Sequence, residues 1–392
     1  MDPGQSVVLL DGARKPGAKI LISGGTRCNV TNVVVSERDF WGGKSTVVRR
    51  ILRSFPTGET VRFFEEIGVH LHEEAKGKLF PDSGRARDVL AALLREIDRL
   101  GATLCTAQRV VDVERDGERF LVRTSSAVVC ARHVVLATGG RSLPKTGSDG
   151  AGLAIAERLG HSIVETTPAL APLVLGDPDV HRELAGVSQD VELTIWIDRA
   201  RACRLSGSLL WTHFGASGPV ALDASRHWNR AKIEGRDVAI TANFWKGLPF
   251  DKVDVELQST ARARPKLSAQ VALAAELPAS TARAILHTTG IDGERALSQL
   301  ARDERRRLAR ALAEWPLPVT GTRGYNYADA TAGGVALEEI DPATMESRVC
   351  PGLVLVGEML DVDGRIGGFN FQWAWSSAYV AAKGLTRTPV CR

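Results

Sequence analysis

The sequence predicts an α/β fold. A discontinuous α/β domain, about residues 1–165 plus 322–392, is interrupted by a β-rich domain (166–261) and a small helical one (262–321). The short apolar run Ser6-Val7-Val8-Leu9-Leu10 has the character of a strand buried on both faces. A second run, Leu353-Val354-Leu355-Val356, leads into a Gly/Asp-rich turn and then a helical pattern through Trp375, Ala378 and Ala382. Between these two runs the apolar period switches repeatedly between that of strands and that of helices.

The elements follow in order. The first strand ends at Asp11 and the turn Gly12-Ala13-Arg14-Lys15-Pro16-Gly17. Helical patterns cover about 45–54, 57–68 and 84–100; in the last, Leu90, Leu93, Leu94, Ile97 and Leu100 recur at the spacing of one buried face. Residues 103–137 alternate around Asp116-Gly117, which predicts a β-meander. Its last strand delivers Ala137-Thr138-Gly139-Gly140, and a helix resumes at 151–160. Val191 to Ile197 alternates as a strand, and 262–314 is Ala/Leu/Arg-rich and helical. Arg305, Arg306, Arg307 and Arg310 of that stretch read as a solvated helix face.

Composition narrows the function classes. An apolar share of 44% and a charged share of 24% describe an ordinary globular chain. The net charge of +4 is small for the length and argues against a nucleic-acid partner, while suiting an anionic cofactor. Cys28, Cys105, Cys130, Cys203, Cys350 and Cys391 form no CxxC pair, which fits a reduced, cytoplasmic protein without a zinc site. No apolar run approaches the roughly 20 residues of a membrane-spanning helix, and the N-terminus lacks the pattern of a signal peptide.

Four segments carry candidate chemistry. A carboxylate at a strand end before a Gly-rich turn, as at Asp11, holds ribose hydroxyls in dinucleotide folds; alone it also fits a solvated turn. Lys19 opens a segment ending in Ser23-Gly24-Gly25-Thr26-Arg27-Cys28-Asn29. There two glycines permit close backbone approach, Arg27 offers a donor fork and Asn29 an amide. Cys28, with no partner cysteine nearby, reads as a small packed residue. Thr138, Gly139 and Gly140 lie at the C-terminal end of a strand, where open α/β sheets bind ligands. Gly357, Glu358 and Asp361, followed by Gly367-Gly368-Phe369-Asn370, lead into a helix N-terminus with free N–H groups. His213, Tyr325 and Tyr327 are the proton-transfer candidates in Gly-rich loops, and Trp373 and Trp375 read as core.

These blocks together resemble the BaiN/YhiN-like flavoproteins, a group of NAD(P)/FAD-dependent oxidoreductases that includes aminoacetone-oxidase-family enzymes. The resemblance runs from about Gly4 to the C-terminus. It is carried by Ile20 to Asn32, Leu79-Phe80-Pro81, Leu136 to Ser148, Thr212 to Pro219, Val319 to Gly324 and residues 357–377. It implies a Rossmann-like FAD domain with the two insertions above. FAD would lie extended, its adenosine ribose on Asp11 and its flavin near Ser23 to Asn29 and Gly367 to Asn370. Asp361 would meet the ribityl or phosphate region, and Lys19, Thr138, Gly139, Gly140, Gly357 and Glu358 would complete the site. His213 would border the substrate. The implied activity is hydride transfer at the flavin between a small organic substrate and NAD(P)H or oxygen. No metal is implied, and no catalytic acid or base is assigned.

One departure from that pattern is large. The GxGxxG fingerprint belongs about 20 residues before Asp11, and no such motif occurs in the chain; Gly147 to Gly152 has a different spacing. Either the coding region begins upstream, or the chain is a shortened, non-catalytic scaffold that holds FAD weakly. An RNA-modifying flavoprotein is a further alternative.

Overall fold

The computed structural model describes residues 6–176, 178–245 and 247–387. The chain divides into two compact units, one drawn from residues 1–168 and 325–392 and the other from 169–324.

In the first unit, strand Val8–Leu10 pairs in parallel with Thr103–Cys105, and Val134–Leu136 pairs in parallel with Leu353–Leu355. Parallel pairing with helical crossovers is the mark of an α/β layer. The meander is Val110–Asp116, Arg119–Thr124 and Val128–Ala131. Strand Leu353–Leu355 is wholly buried and sits in a core with Leu136, Val335, Met359, Phe369 and Trp373. Helices Ser45–Ser54, Thr57–Glu66 and Ala151–Arg158 lie where the periodicity places them.

Two expectations need correction here. The first strand is not buried on both faces: Val8 is 45% and Leu9 42% exposed. A run of apolar residues sets strand propensity, but burial depends on neighbours, and among the described residues this strand pairs only with Thr103–Cys105. The third helix, Ala86–Arg99, buries Ala86, Val89 and Ala92, whereas Leu90, Leu93, Leu94 and Ile97 are half-buried and Leu100 is exposed. Its buried stripe is thus rotated toward small residues, which permit closer packing than leucines.

The second unit is built on a seven-stranded sheet whose pairings are antiparallel. Its spine is the long hairpin Ser188–Ile197 with Ala200–Thr212. Helix Pro219–Ile233 opens with proline at its first turn, where a missing N–H costs nothing. The helical stretch after 262 builds no core of its own. Leu273, Ile285, Leu308 and Leu312 join Leu193, Ile195 and Trp211 in one cluster.

Arg306, Arg307 and Arg310 of helix Arg302–Ala313 are exposed, as expected of a solvated face, but these arginines also brace the fold. Arg305 Nε donates to Asp254 at 2.8 Å, Arg307 Nε donates to the Thr289 carbonyl, and Arg306 and Arg310 lie over the Phe250 ring. The Arg305 hydrogen bond holds the largely buried Asp254 carboxyl below the usual aspartate range. A carboxyl depressed in the folded state contributes stability above its unfolded pKa and loses it as pH falls through the folded value. Asp254→Asn should therefore cost about 1.5–3 kcal/mol near neutral pH. Urea midpoints of variant and wild type should converge in strong acid; a gap that stays constant with pH would show that the charge contributes nothing.

Candidate functional site

Every predicted cofactor-site residue lies in the first unit. The Lys19 to Asn29 segment begins as helix Ala18–Thr26 and breaks at Ser23, Gly24 and Gly25. Both glycines adopt positive φ (54° and 67°), and Thr26 and Cys28 do the same (68° and 63°). Consecutive left-handed residues turn successive backbone groups outward, a shape that suits close ligand approach. The two glycines differ. A Cβ on Gly24 would meet the Asn29 nitrogen at 2.8 Å, while a Cβ on Gly25 would meet nothing within 4 Å. Gly25 therefore faces open space, and Gly24 is required by the fold of the turn.

Asn29 is buried, and its Oδ1 has no hydrogen-bond partner among the described residues. An orphaned buried acceptor is costly unless a ligand or water supplies a donor. Beside a glycine turn open to solvent, that acceptor fits a planar cofactor carrying a ring N–H, as flavin does.

Other predicted residues are committed to the protein itself. Arg27 forks onto both oxygens of Glu74 and lies 4.1 Å from the Phe80 ring centre. Burial pushes the Cys28 thiol up to about 11, so it is a packed thiol and not a thiolate. Asp11 Oδ1 accepts the Ala13 N–H at 2.7 Å and so closes its own turn. Thr138 is exposed, and helix Ala151–Arg158 reaches it through Gly152, where a Cβ would strike Thr138.

Glu358 is the hub. Its Oε2 pairs with Lys19, and its Oε1 accepts the Ser142 hydroxyl at 2.8 Å and the Thr331 N–H at 3.1 Å. Thr331 Oγ1 in turn accepts the N–H groups of Arg141 and Ser142. Gly140 is a glycine because a Cβ there would come within 2.4 Å of Thr331 Oγ1 and 3.1 Å of Glu358. One carboxylate thus gathers the strand-end turn at 138–142, the strand Ala330–Val335 and the helix that leads into the glycine turn. Gly357 takes φ 73°; its N–H donates to Ser377 and its carbonyl accepts from the Trp373 indole. The Asp361 backbone accepts from Gly43 and donates to Val335.

The Gly367 to Asn370 block differs from expectation. The glycines were expected to let a ligand touch backbone, but a Cβ on Gly368 would lie 2.5 Å from the Thr31 carbonyl oxygen. Gly368 is therefore needed for the final helix, Phe369–Arg387, to pack on strand Thr31–Asn32. Phe369 is 1% exposed and meets Phe40 edge-on, so it belongs to the core. The Asn370 side chain bonds both backbone groups of Gly364, at 2.8 and 2.9 Å, and locks the turn before the helix. Trp373 and Trp375 are packed as expected. Tyr325 donates its hydroxyl to Thr166. His213 sits exposed at a hairpin tip of the second unit.

The Rossmann-like α/β layer and the family match place the chain among FAD-binding, flavin-dependent oxidoreductases. The chain belongs to the HI0933-like protein Rossmann domain family, whose model matches residues 1–384. It is 34% identical to a ribosomal RNA dihydrouridine synthase of Escherichia coli, over 97% of this chain and 92% of that protein. It is 31% identical to a protein of the same name from Haemophilus influenzae, over 98% and 93%. It is 30% identical to a 3-dehydro-bile acid delta(4,6)-reductase of Clostridium scindens, over 99% and 94%.

These relatives overturn the expectation that nucleic acid is an unlikely partner, since two are named for ribosomal RNA. The error lay in using net charge. A sum of +4 hides how 50 Lys and Arg are distributed, and RNA recognition depends on local clustering. Among the described residues no helix is long and apolar enough to cross a membrane.

Proposed function

We propose that this chain reduces the C5=C6 double bond of a uridine in ribosomal RNA, using FAD and a nicotinamide reductant. The observation that carries the reading is the end-to-end match, at 34% and 31% identity, to two proteins named for that product. The third relative is named as a reductase of delta(4,6) double bonds in a 3-dehydro substrate. Both names describe addition of hydrogen across a carbon–carbon double bond conjugated to a carbonyl. That common chemistry replaces the generic small-molecule oxidoreductase as the favoured reading, with a conjugated enone as the second substrate class.

FAD when bound supplies the hydride. The Ser23 to Asn29 turn would hold its ring, with the Asn29 Oδ1 accepting a ring N–H and Gly25 allowing close approach. Lys19 and Glu358 would set the polar side of the site, and Asp11 would meet the adenosine ribose. The FAD domain would be residues 1–165 with 322–392, and the working compartment the cytoplasm.

The test is direct. The purified chain with FAD and NADPH is incubated with ribosomal RNA lacking dihydrouridine, and nucleosides are measured by mass spectrometry. Dihydrouridine formation that depends on FAD is the expected result. Bound FAD and NADPH oxidation with an enone, but unaltered RNA, would transfer the assignment to the second class.

A further inference from the structure

The small net charge of the chain hides a local excess. Residues 262–310 are one eighth of the chain, and they carry 10 Arg and Lys against 5 Asp and Glu. That segment therefore holds +5, and since the whole chain sums to +4, the remaining residues sum to −1. RNA is bound first through its phosphates, and the footprint of such binding is a cluster of cations on one face, whatever the total.

Part of that excess is used inside the second unit. Arg305 pairs with Asp254, Arg295 pairs with Glu304, and Arg306 and Arg310 lie over the Phe250 ring. Arg262, Arg264, Lys266 and Arg302 have no such role. All four are exposed, and among the described residues their side chains make no ion pair or hydrogen bond. Fold stability does not account for the set. Arg262 suits the negative end of helix Phe250–Ala263, but Arg302 opens helix Arg302–Ala313, where the dipole disfavours a cation. Unpaired like charges held close together also repel.

The backbone gathers the four at one end of a helix pair. Helices Phe250–Ala263 and Arg302–Ala313 run antiparallel, since Arg305 meets Asp254 while Arg310, further on, meets Phe250, further back. The end of the first helix thus lies beside the start of the second, at Arg302. Arg264 caps the first helix, its N–H bonding the Thr260 carbonyl, and Pro265 bars a further turn. The loop that follows is pinned to residues 297 and 298. Ser298 donates its hydroxyl to the Pro265 carbonyl at 2.6 Å, and the Leu297 N–H bonds the Leu267 carbonyl at 2.8 Å. The Leu267 N–H bonds the Arg264 carbonyl at 3.0 Å, and the Leu267 side chain packs against the core of the unit. Arg264, Pro265, Lys266 and Leu267 line an open hollow of about 510 Å³. The cations therefore stand on a fixed, concave surface, and little backbone ordering is needed when a ligand arrives.

We propose that Arg262, Arg264, Lys266 and Arg302 form a footing for the phosphate backbone of the ribosomal RNA substrate. This rests on the uridine-reduction reading. Three of the four are arginines, whose planar forks take two phosphate oxygens at once. The hollow is open and its charged side chains are both cations, so it fits a chain of anions better than a small neutral substrate. Phosphate contacts carry no sequence information. They hold the strand in register and leave recognition of the uridine to the site that reduces it.

The experiment uses the full chain with FAD and three variants. The first combines Arg262→Gln, Arg264→Gln, Lys266→Gln and Arg302→Gln. The second combines Arg262→Lys, Arg264→Lys and Arg302→Lys. The third is Lys252→Gln, an exposed cation on the same helix, about 15 Å from Arg262 by helical rise and so beyond the screening length of roughly 10 Å near 0.1 M salt. Circular dichroism checks folding, and binding of labelled, unmodified ribosomal RNA is measured across a salt series. The glutamine variant should keep its melt and its FAD, bind RNA about 100-fold more weakly near 0.1 M salt, and lower the slope of log affinity against log salt by about 3. The lysine variant should keep the salt slope and lose only a few-fold in affinity with the forks. Lys252→Gln should bind like wild type. Wild-type affinity and slope in the glutamine variant, or an equal loss in Lys252→Gln, overturns the proposal. A lysine variant as weak as the glutamine one overturns it too, because charge is then not what acts. Vesicles of phosphatidylcholine and phosphatidylserine are run in parallel; a wild type that binds them and not RNA assigns the surface to a membrane and overturns the footing. If wild type binds RNA through these cations but leaves uridine intact, the reduction reading fails on its own. If wild type and the glutamine variant bind and reduce RNA alike, only the footing fails.

Discussion

Gly368→Val should lose most of the stability of the first unit, and FAD with it, while Gly25→Leu should stay folded and lose FAD alone. At Gly368 the backbone holds φ 95° and an added Cβ would lie 2.5, 2.6 and 2.8 Å from the Thr31 carbonyl oxygen, carbonyl carbon and Cα. All three are backbone atoms of a buried strand and cannot rotate aside. A β-branched residue at positive φ costs about 1–3 kcal/mol, and forcing extra volume into a packed contact costs a similar amount. Together they approach the few kcal/mol by which folded domains are stable. Gly25 carries the same type of backbone strain at φ 67° but has nothing within 4 Å of its added Cβ. A leucine there would cost about 1–2 kcal/mol and would fill the space beside Asn29. Circular dichroism melts and visible spectra of the two variants separate the effects. A folded, FAD-free Gly368→Val would restore the ligand-contact role for that glycine. A folded Gly25→Leu with full FAD content would remove the turn from the site.

The contrast between these glycines shows what was legible in the sequence. The strand–turn–helix order at 353–387 and the glycine pairs could be read directly, because turn chemistry and apolar period are local properties. What each glycine avoids could not, since Gly368 answers to Thr31 and Gly140 to Thr331, far away in the chain. The Lys19–Glu358 pair joins residues 339 positions apart, so the hub appears only when the chain is folded. Arg27 and the 305–310 arginines looked free by the same limitation, because their acceptors are distant in sequence. The first strand shows the reverse case, in which a run of apolar residues suggested burial that its neighbours do not provide.

Gln372→Leu should destabilise the first unit by about 2–6 kcal/mol without touching the FAD site directly. Gln372 is 1% exposed on the final helix, and its amide is fully satisfied. Its Oε1 accepts the Thr31 and Thr60 hydroxyls at 2.5 and 3.0 Å, and its Nε2 donates to the Phe55 carbonyl and Ser376 Oγ at 2.9 and 3.0 Å. An amide offers two acceptor sites and two donors, so all four are used. Leucine is close in volume and leaves no large cavity, which isolates the hydrogen-bond loss from a packing loss. It strands two hydroxyls, on Thr31 and Thr60, both fully buried. The Phe55 carbonyl keeps the Ser376 hydroxyl at 2.8 Å, so it is not stranded. Adding Thr31→Val and Thr60→Val to Gln372→Leu should therefore recover much of the lost stability, because removing both partners of a buried bond is far cheaper than removing one. The urea midpoints of the single and triple variants decide it. A triple variant no more stable than the single one would mean that the amide acts through the shape of the final helix and not through these bonds. Since Thr31 is also the residue against which Gly368 packs, the same strand sets both the entry of the final helix and its polar anchor. That shared contact explains why the turn at 23–29, which leads directly into this strand, can be open to a ligand and yet stay fixed.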